Sequence, residues 1–129
     1  MQTFQLSFAK INCLNTHMAE VIVDQGVVIS LEMSEEYDKV LATQFTSDFV
    51  LLINKINDYR FAYEAKLTMA SHSNLKAIAV ITYSKKDRQS VEATAVMRKR
   101  DGWNLKVFDG LNLGRQAGID WLESQFNPA

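Results

Sequence analysis

The chain has 129 residues, 47% of them hydrophobic and 22% charged, with 14 basic against 15 acidic side chains for a net charge of −1. That length predicts one domain, spanning residues 1–129, that buries roughly two thirds of its unfolded surface. The balanced charge excludes the global basic field that gathers nucleic acid, and no run approaches the ~18 apolar residues that a membrane span needs. A single cysteine, Cys13, excludes an internal disulfide and suits a reducing cytoplasm. One proline, five glycines and the absence of a basic-then-apolar start give no sign of a linker, disordered tail or leader, so a soluble cytoplasmic protein is expected.

Phe4, Leu6 and Phe8 alternate with Thr3, Gln5 and Ser7, which predicts a strand with three large side chains on one face. Leu14-Asn15-Thr16 reads as a turn and Ala19 to Val23 as a strand, the two segments pairing as an antiparallel hairpin. Asp24-Gln25-Gly26 turns the chain, with Gly26 free to take a positive φ, before the β-branched run Val27-Val28-Ile29. A helix starts between Ser30 and Ser34, either of which can cap it, with Glu35 and Glu36 near the positive end of its dipole. Met33, Tyr37, Val40, Leu41 and Phe45 make its core stripe.

Phe49-Val50-Leu51-Leu52-Ile53 is a continuous apolar run bounded by Ser47-Asp48 and Asn54-Lys55, as expected of a central strand covered on both faces. Asn54 to Asp58 follows as a polar loop, and Asp58 is placed to cap a helix from Tyr59 to Ser71. Apolar residues on two sides of that helix (Phe61, Ala65, Met69 and Tyr63, Leu67, Ala70) predict that it is well buried. Leu75 to Tyr83 is the next strand, parallel to the first through a right-handed crossover. Over 88–99 periodicity alone does not decide: Val91, Ala93, Ala95 and Met97 alternate as in a strand. The Ser84-Lys85-Lys86-Asp87 capping pattern, the alanines and the crossover favour a helix. Asp101-Gly102 ends it, Asn104 to Phe108 is a short strand, and Gly110 to Gly114 is a loop. Arg115 to Phe126 is a last helix with Ala117, Trp121 and Leu122 inward, and Asn127-Pro128 lies past its end.

This order, a β-hairpin and a helix followed by alternating strands and helices, combines with the wording of Glu20 to Glu32, Phe49 to Asn57, Val107-Phe108 and Ala117 to Leu122. Together they resemble the SpoIIAA-like (STAS) superfamily, most closely its small stand-alone bacterial STAS/SEC14-related members of unknown function. The resemblance covers nearly the whole chain. It implies an α/β fold with a mixed sheet of four or five strands and about four helices packed mainly on one face, and a domain that binds partners and is not known for catalysis. Anti-sigma factor antagonists of the superfamily carry a phosphorylatable Asp-Ser-Ser/Thr-Gly motif after the central strand. Here that region reads Asp58-Tyr59-Arg60-Phe61-Ala62-Tyr63-Glu64 and offers no hydroxyl on serine or threonine before Thr68, so no phosphosite is carried over.

Ligands of open α/β sheets gather past the carboxyl ends of parallel strands, beside free helix N–H groups. Asn54, Asn57, Tyr59, Arg60 and Tyr63 after one strand, and Ser84, Lys85, Lys86 and Arg88 after the other, are therefore the candidates to hold an anion or an acidic partner surface. The plainer reading is that the asparagines close turns, Ser84 caps a helix and the bases are solvated. Arg98-Lys99-Arg100 sits at a helix end, where positive charge offsets the dipole, and Trp103 beside it either forms a partner hot spot or folds back on the core. His17 and His72 have no neighbours at metal-ligand spacing, and Cys13 has no catalytic signature around it.

The expectation is a non-enzymatic regulatory or interaction domain with no cofactor and no metal. It would dock a protein partner or a second copy of itself, a homodimer included, and would not bind nucleic acid. The alternative is a small anionic or lipid-like ligand held at the edge that follows the parallel strands, with Tyr59, Arg60 and Tyr63 as its contacts.

Overall fold

The computed structural model describes residues 2–127. Its frame is a mixed six-stranded sheet of β1 (Thr3–Gln5), β2 (Ala9–Cys13), β3 (Met18–Val23), β5 (Phe49–Asn54), β7 (Leu75–Thr82) and β8 (Leu105–Asp109), in that spatial order. β1, β2 and β3 are antiparallel neighbours, and β3, β5, β7 and β8 run parallel. A second, two-stranded sheet pairs β4 (Val28–Ile29) with β6 (Arg60–Phe61) in parallel. The sheet thus exceeds the expected four or five strands.

Most of the excess lies at the start of the chain. The expected strand through Phe4, Leu6 and Phe8 is broken after Gln5, where a tight turn closed by the Leu6 N–H to the Ala9 carbonyl (2.8 Å) reverses the chain. Leu6 and Phe8 are still buried, from the turn and not from a strand face. β2, not the Phe4–Phe8 segment, pairs with β3, through the register Ile11↔Val21.

β5 and β7 form the centre, as their continuous apolar runs predict. Three helices lie on one face: α1 (Leu31–Gln44), α2 (Tyr63–Thr68) and α3 (Lys85–Met97). α4 (Gly114–Phe126) covers the other, packing on Met18, Val50, Leu52, Ala77, Ala79 and Ile81. Ser30 caps α1 by accepting from the Met33 N–H, and Tyr37, Leu41 and Phe45 fill the core while Met33 and Val40 pack at its margin.

The expected 59–71 helix shrinks to α2, because Arg60 and Phe61 pair with β4 instead. Asp58 does not cap α2; its backbone carbonyl accepts from Gly26 N–H, and Gly26 has φ +80°. Of the two expected apolar sides, Phe61, Ala65 and Met69 face the core, and of the other only Ala70 is buried, while Tyr63 and Leu67 are exposed. Lys85–Met97 is helical, with Ser84 Oγ accepting from the Asp87 N–H at 3.1 Å, so the cap outweighs the strand-like alternation. Pro128 lies outside the described residues, and no helix among them is long and apolar enough to cross a membrane.

On α4 the inward residues include Leu122 and Gly118; Ala117, expected inward, is exposed. A Cβ on Gly118 would stand 2.8 Å from Ile81 Cδ1 and 3.2 Å from Leu52 Cδ1, so the missing side chain lets the helix approach the sheet. Gly118→Ala is expected to cost ~1–3 kcal/mol by overpacking, despite the better helix propensity of alanine. Chemical denaturation measures this; an unchanged or raised stability would mean that α4 sits further from β5 and β7 than described.

Candidate functional site

Strand alternation builds the site. Leu51 and Ile53 of β5 point to the face covered by α1–α3, and Lys55, the first residue beyond the strand, continues the same alternation. Val21 and Val23 flank them on β3, and Ile78 and Val80 on β7. All seven line a cavity of about 360 Å³ between the sheet and the three helices. The stretch from Leu51 to Lys55 alone runs roughly 13 Å along the strands, at ~3.3 Å per residue.

The roof explains why the space stays open. A helix laid on a filled core buries a stripe of its side chains, but α3 buries none. Its inward residues Val91 and Thr94 are only half-buried, and both line the cavity. The β4/β6 pair closes one end with Val28, Ile29, Arg60 and Phe61, held by bonds from the Arg60 N–H to the Val27 carbonyl (3.0 Å) and from the Ala62 N–H to the Ile29 carbonyl (2.8 Å).

On the sheet side of the cavity Lys55 is the exception to an apolar wall, at 6% exposure. Its Nζ donates to the Tyr59 carbonyl at 3.2 Å, lies 3.7 Å from the centroid of the Tyr59 ring, and stands 3.9 Å from Asp87 Oδ1. Burial holds its pKa below the ordinary lysine value, and the attraction of Asp87 and Asp58 only partly offsets this. An ammonium group has three donors; among the described residues one acceptor lies at hydrogen-bond distance, and Asp87 is too far to be a second. Lys55, Arg60 and Lys66 all line the cavity, and no acidic residue does.

The residues expected from the sequence divide between separate places. Tyr59, buried, and Arg60, exposed, line the cavity, whereas Tyr63 points to solvent at 65% exposure. Asn54 faces the opposite side of the sheet, where it donates to Glu20 Oε2 (3.0 Å) and accepts from the Tyr83 hydroxyl (2.9 Å). Arg115 completes that group with bonds of 2.9 and 2.8 Å to the Glu20 carboxylate. Burial raises the Glu20 pKa, but the bonds from Arg115 and Asn54 outweigh it and leave the carboxyl below its usual value. Asn57 does not close a turn but ties its loop to the end of β3 by donating to the Val23 carbonyl at 2.9 Å. Ser84 caps α3; Lys85 and Arg88 border a shallow depression with Glu92 and Asp109, and Arg88 pairs with Glu92 at 2.9 Å. Lys86 is exposed. The two loops therefore do not converge on one anion site.

Elsewhere, His17 pairs with Glu123 of α4 at 2.9 Å and stacks on Phe126, while His72 pairs with Asp38 of α1 at 3.0 Å. Cys13 is buried at the end of β2, and burial pushes its thiol pKa up. Trp103 folds back against the cluster of Ile78 and Val80, beneath the guanidinium of Arg98 at 4.2 Å from the ring centroid. Lys55 and Lys66 were not expected at the site. Lys55 had a signal, since it extends the period-two series Phe49, Leu51, Ile53; Lys66, on a short helix, had none. No protein-family model, curated protein or solved structure matches the chain.

Proposed function

We propose that the protein is a non-enzymatic binding module that holds one small, largely apolar molecule between its sheet and α1–α3. The carrying observation is the cavity of about 360 Å³ roofed by a helix with no buried side chain. Its size falls within the ~300–1,000 Å³ range of small-molecule sites, and an apolar lining with a few placed polar groups is their usual character. The mixed sheet with three helices on one face is in keeping with the STAS-like resemblance of the sequence, which on this reading describes a family fold used for binding.

The cavity predicts its own test. Val91→Phe, which fills the space from the roof, should lower the affinity for anilinonaphthalene sulfonate at least tenfold in a fluorescence titration while leaving the fold at least as stable. Undiminished binding would put the probe on the outer surface and remove the cavity from the account. A second reading, docking of a protein partner or a second copy, draws on Leu111 and Leu113, which are 78% and 84% exposed beside the carboxyl end of β8. Native mass spectrometry of protein purified gently from its host separates the two: a retained small mass released on denaturation favours the ligand, and a stoichiometric second chain favours docking.

A further inference from the structure

We propose that the molecule held in this cavity is a single-chain monocarboxylate whose head group pairs with Lys55. The inference rests on the cavity being a ligand site and adds the ligand's chemistry and orientation.

Three observations carry it. The lining has three bases and no acid, so its field favours an anion over a neutral or cationic guest of the same shape. The only basic side chain in the lining that is fully buried is Lys55, and its ammonium has one acceptor within hydrogen-bond distance. A carboxylate oxygen would supply what the protein does not, forming a charge-assisted bond in surroundings where such a bond is strong. Third, the lining along β3, β5 and β7 runs roughly 13 Å from Lys55 to Leu51 and is apolar apart from Lys55, which suits one extended chain and leaves no second polar group on the strands to satisfy.

The charge count selects the head group. Lys55 is the one buried cation of the lining and already stands 3.9 Å from Asp87, so a dianionic phosphate against it would leave an uncompensated charge in an apolar space. Asp87, the nearest acid to Nζ, does not line the cavity and so does not occupy the side from which a ligand approaches. Arg60, exposed, and Lys66, half-buried, add positive potential around the lining.

Decanoate and decanol test the head group at matched chain length, by calorimetric titration of the full chain below the concentration at which either probe aggregates. Decanoate is expected to bind at least tenfold more tightly than decanol, and Lys55→Met should bring decanoate down to the level of decanol. Equal binding of the two to the unaltered protein would overturn the carboxylate assignment and leave the cavity reading intact. A preference for decanoate that survives in Lys55→Met would overturn the role of Lys55. No binding of either probe would overturn both this inference and the cavity reading beneath it.

Discussion

Replacing Arg98 with alanine is expected to destabilise the protein by about 2–6 kcal/mol, because two carbonyls lose the donor that satisfies them. Arg98 is 2% exposed although it stands in the basic run Arg98-Lys99-Arg100. Its Nη1 donates to the carbonyls of Lys66 and Met69, both at 2.9 Å, its Nη2 to Ser71 Oγ at 3.0 Å, and its Nε pairs with Asp101. One planar group thereby satisfies carbonyls at the end of α2 and ties them to the turn after α3. Asp101 is half exposed and keeps much of its hydration without its partner. The cost therefore falls mainly on the stranded carbonyls, at about 1–3 kcal/mol for each that stays buried, and on the lost cover over Trp103. Lysine should not rescue the fold, because a compact ammonium cannot reach four partners in a planar fork. Urea unfolding of Arg98→Ala and Arg98→Lys decides it. A loss below about 1 kcal/mol with an unchanged denaturant slope would mean that these bonds do not hold α2 to α3.

Arg98 also marks the limit of what the sequence discloses. A base in a run of bases at a helix end reads as a solvated charge that offsets the dipole, and this holds for its exposed neighbours Lys99 and Arg100. Only its long-range bonds to the Lys66 and Met69 carbonyls and to Ser71 make Arg98 different. The central strands were legible because burial on both faces demands the continuous apolar runs of Phe49 to Ile53 and Ala77 to Ile81. α3 was legible from Ser84 and Asp87, since a cap is a local hydrogen bond with a local spacing. β2 was not, because Phe4, Leu6 and Phe8 continue an alternation through what is a turn, and the weaker alternation of Ala9, Ile11 and Cys13 is hidden behind it. The shortened α2 likewise depends on a long-range competitor, the pairing of Arg60 and Phe61 with Val28 and Ile29. The cavity is the least legible feature, because it arises where the shape of α3 fails to fill the space above the sheet. Only Lys55, closing an apolar alternation with a charge, announced it locally.

The pH dependence of stability should turn over between about pH 9 and 10, set by three side chains that line the cavity and by Cys13, whose buried thiol keeps its proton after the unfolded thiol has ionised and so withdraws stability from about pH 9 upward. Burial pushes the Tyr37 hydroxyl pKa well above its usual value, with Asp38 and Tyr59 adding to the effect, and burial does the same to Tyr59, helped by Asp87. Below about pH 10 both tyrosines keep their protons folded or unfolded, and their stabilisation is fully present. Above it the unfolded chain loses protons that the folded chain retains. The unfolding free energy then falls by about 1.4 kcal/mol per pH unit for each tyrosine, or about 2.7 for the pair, until their folded pKa values are reached. Lys55 has the opposite sign: its folded pKa lies below that of the unfolded chain. Stability therefore rises with pH from the folded lysine pKa to about 10.5, and levels off above it as far as this residue is concerned. Denaturation midpoints measured from pH 7 to 11 should rise gently and then fall steeply. Tyr37→Phe should halve the tyrosine share of the steep limb, and Lys55→Met should remove the gentle one while stabilising the protein at neutral pH. If Lys55→Met instead destabilises the fold at neutral pH, the amine is a structural tie to the Tyr59 carbonyl. If it stabilises, the chain carries a buried charge at a net cost to its own fold, as a residue kept for a ligand would be.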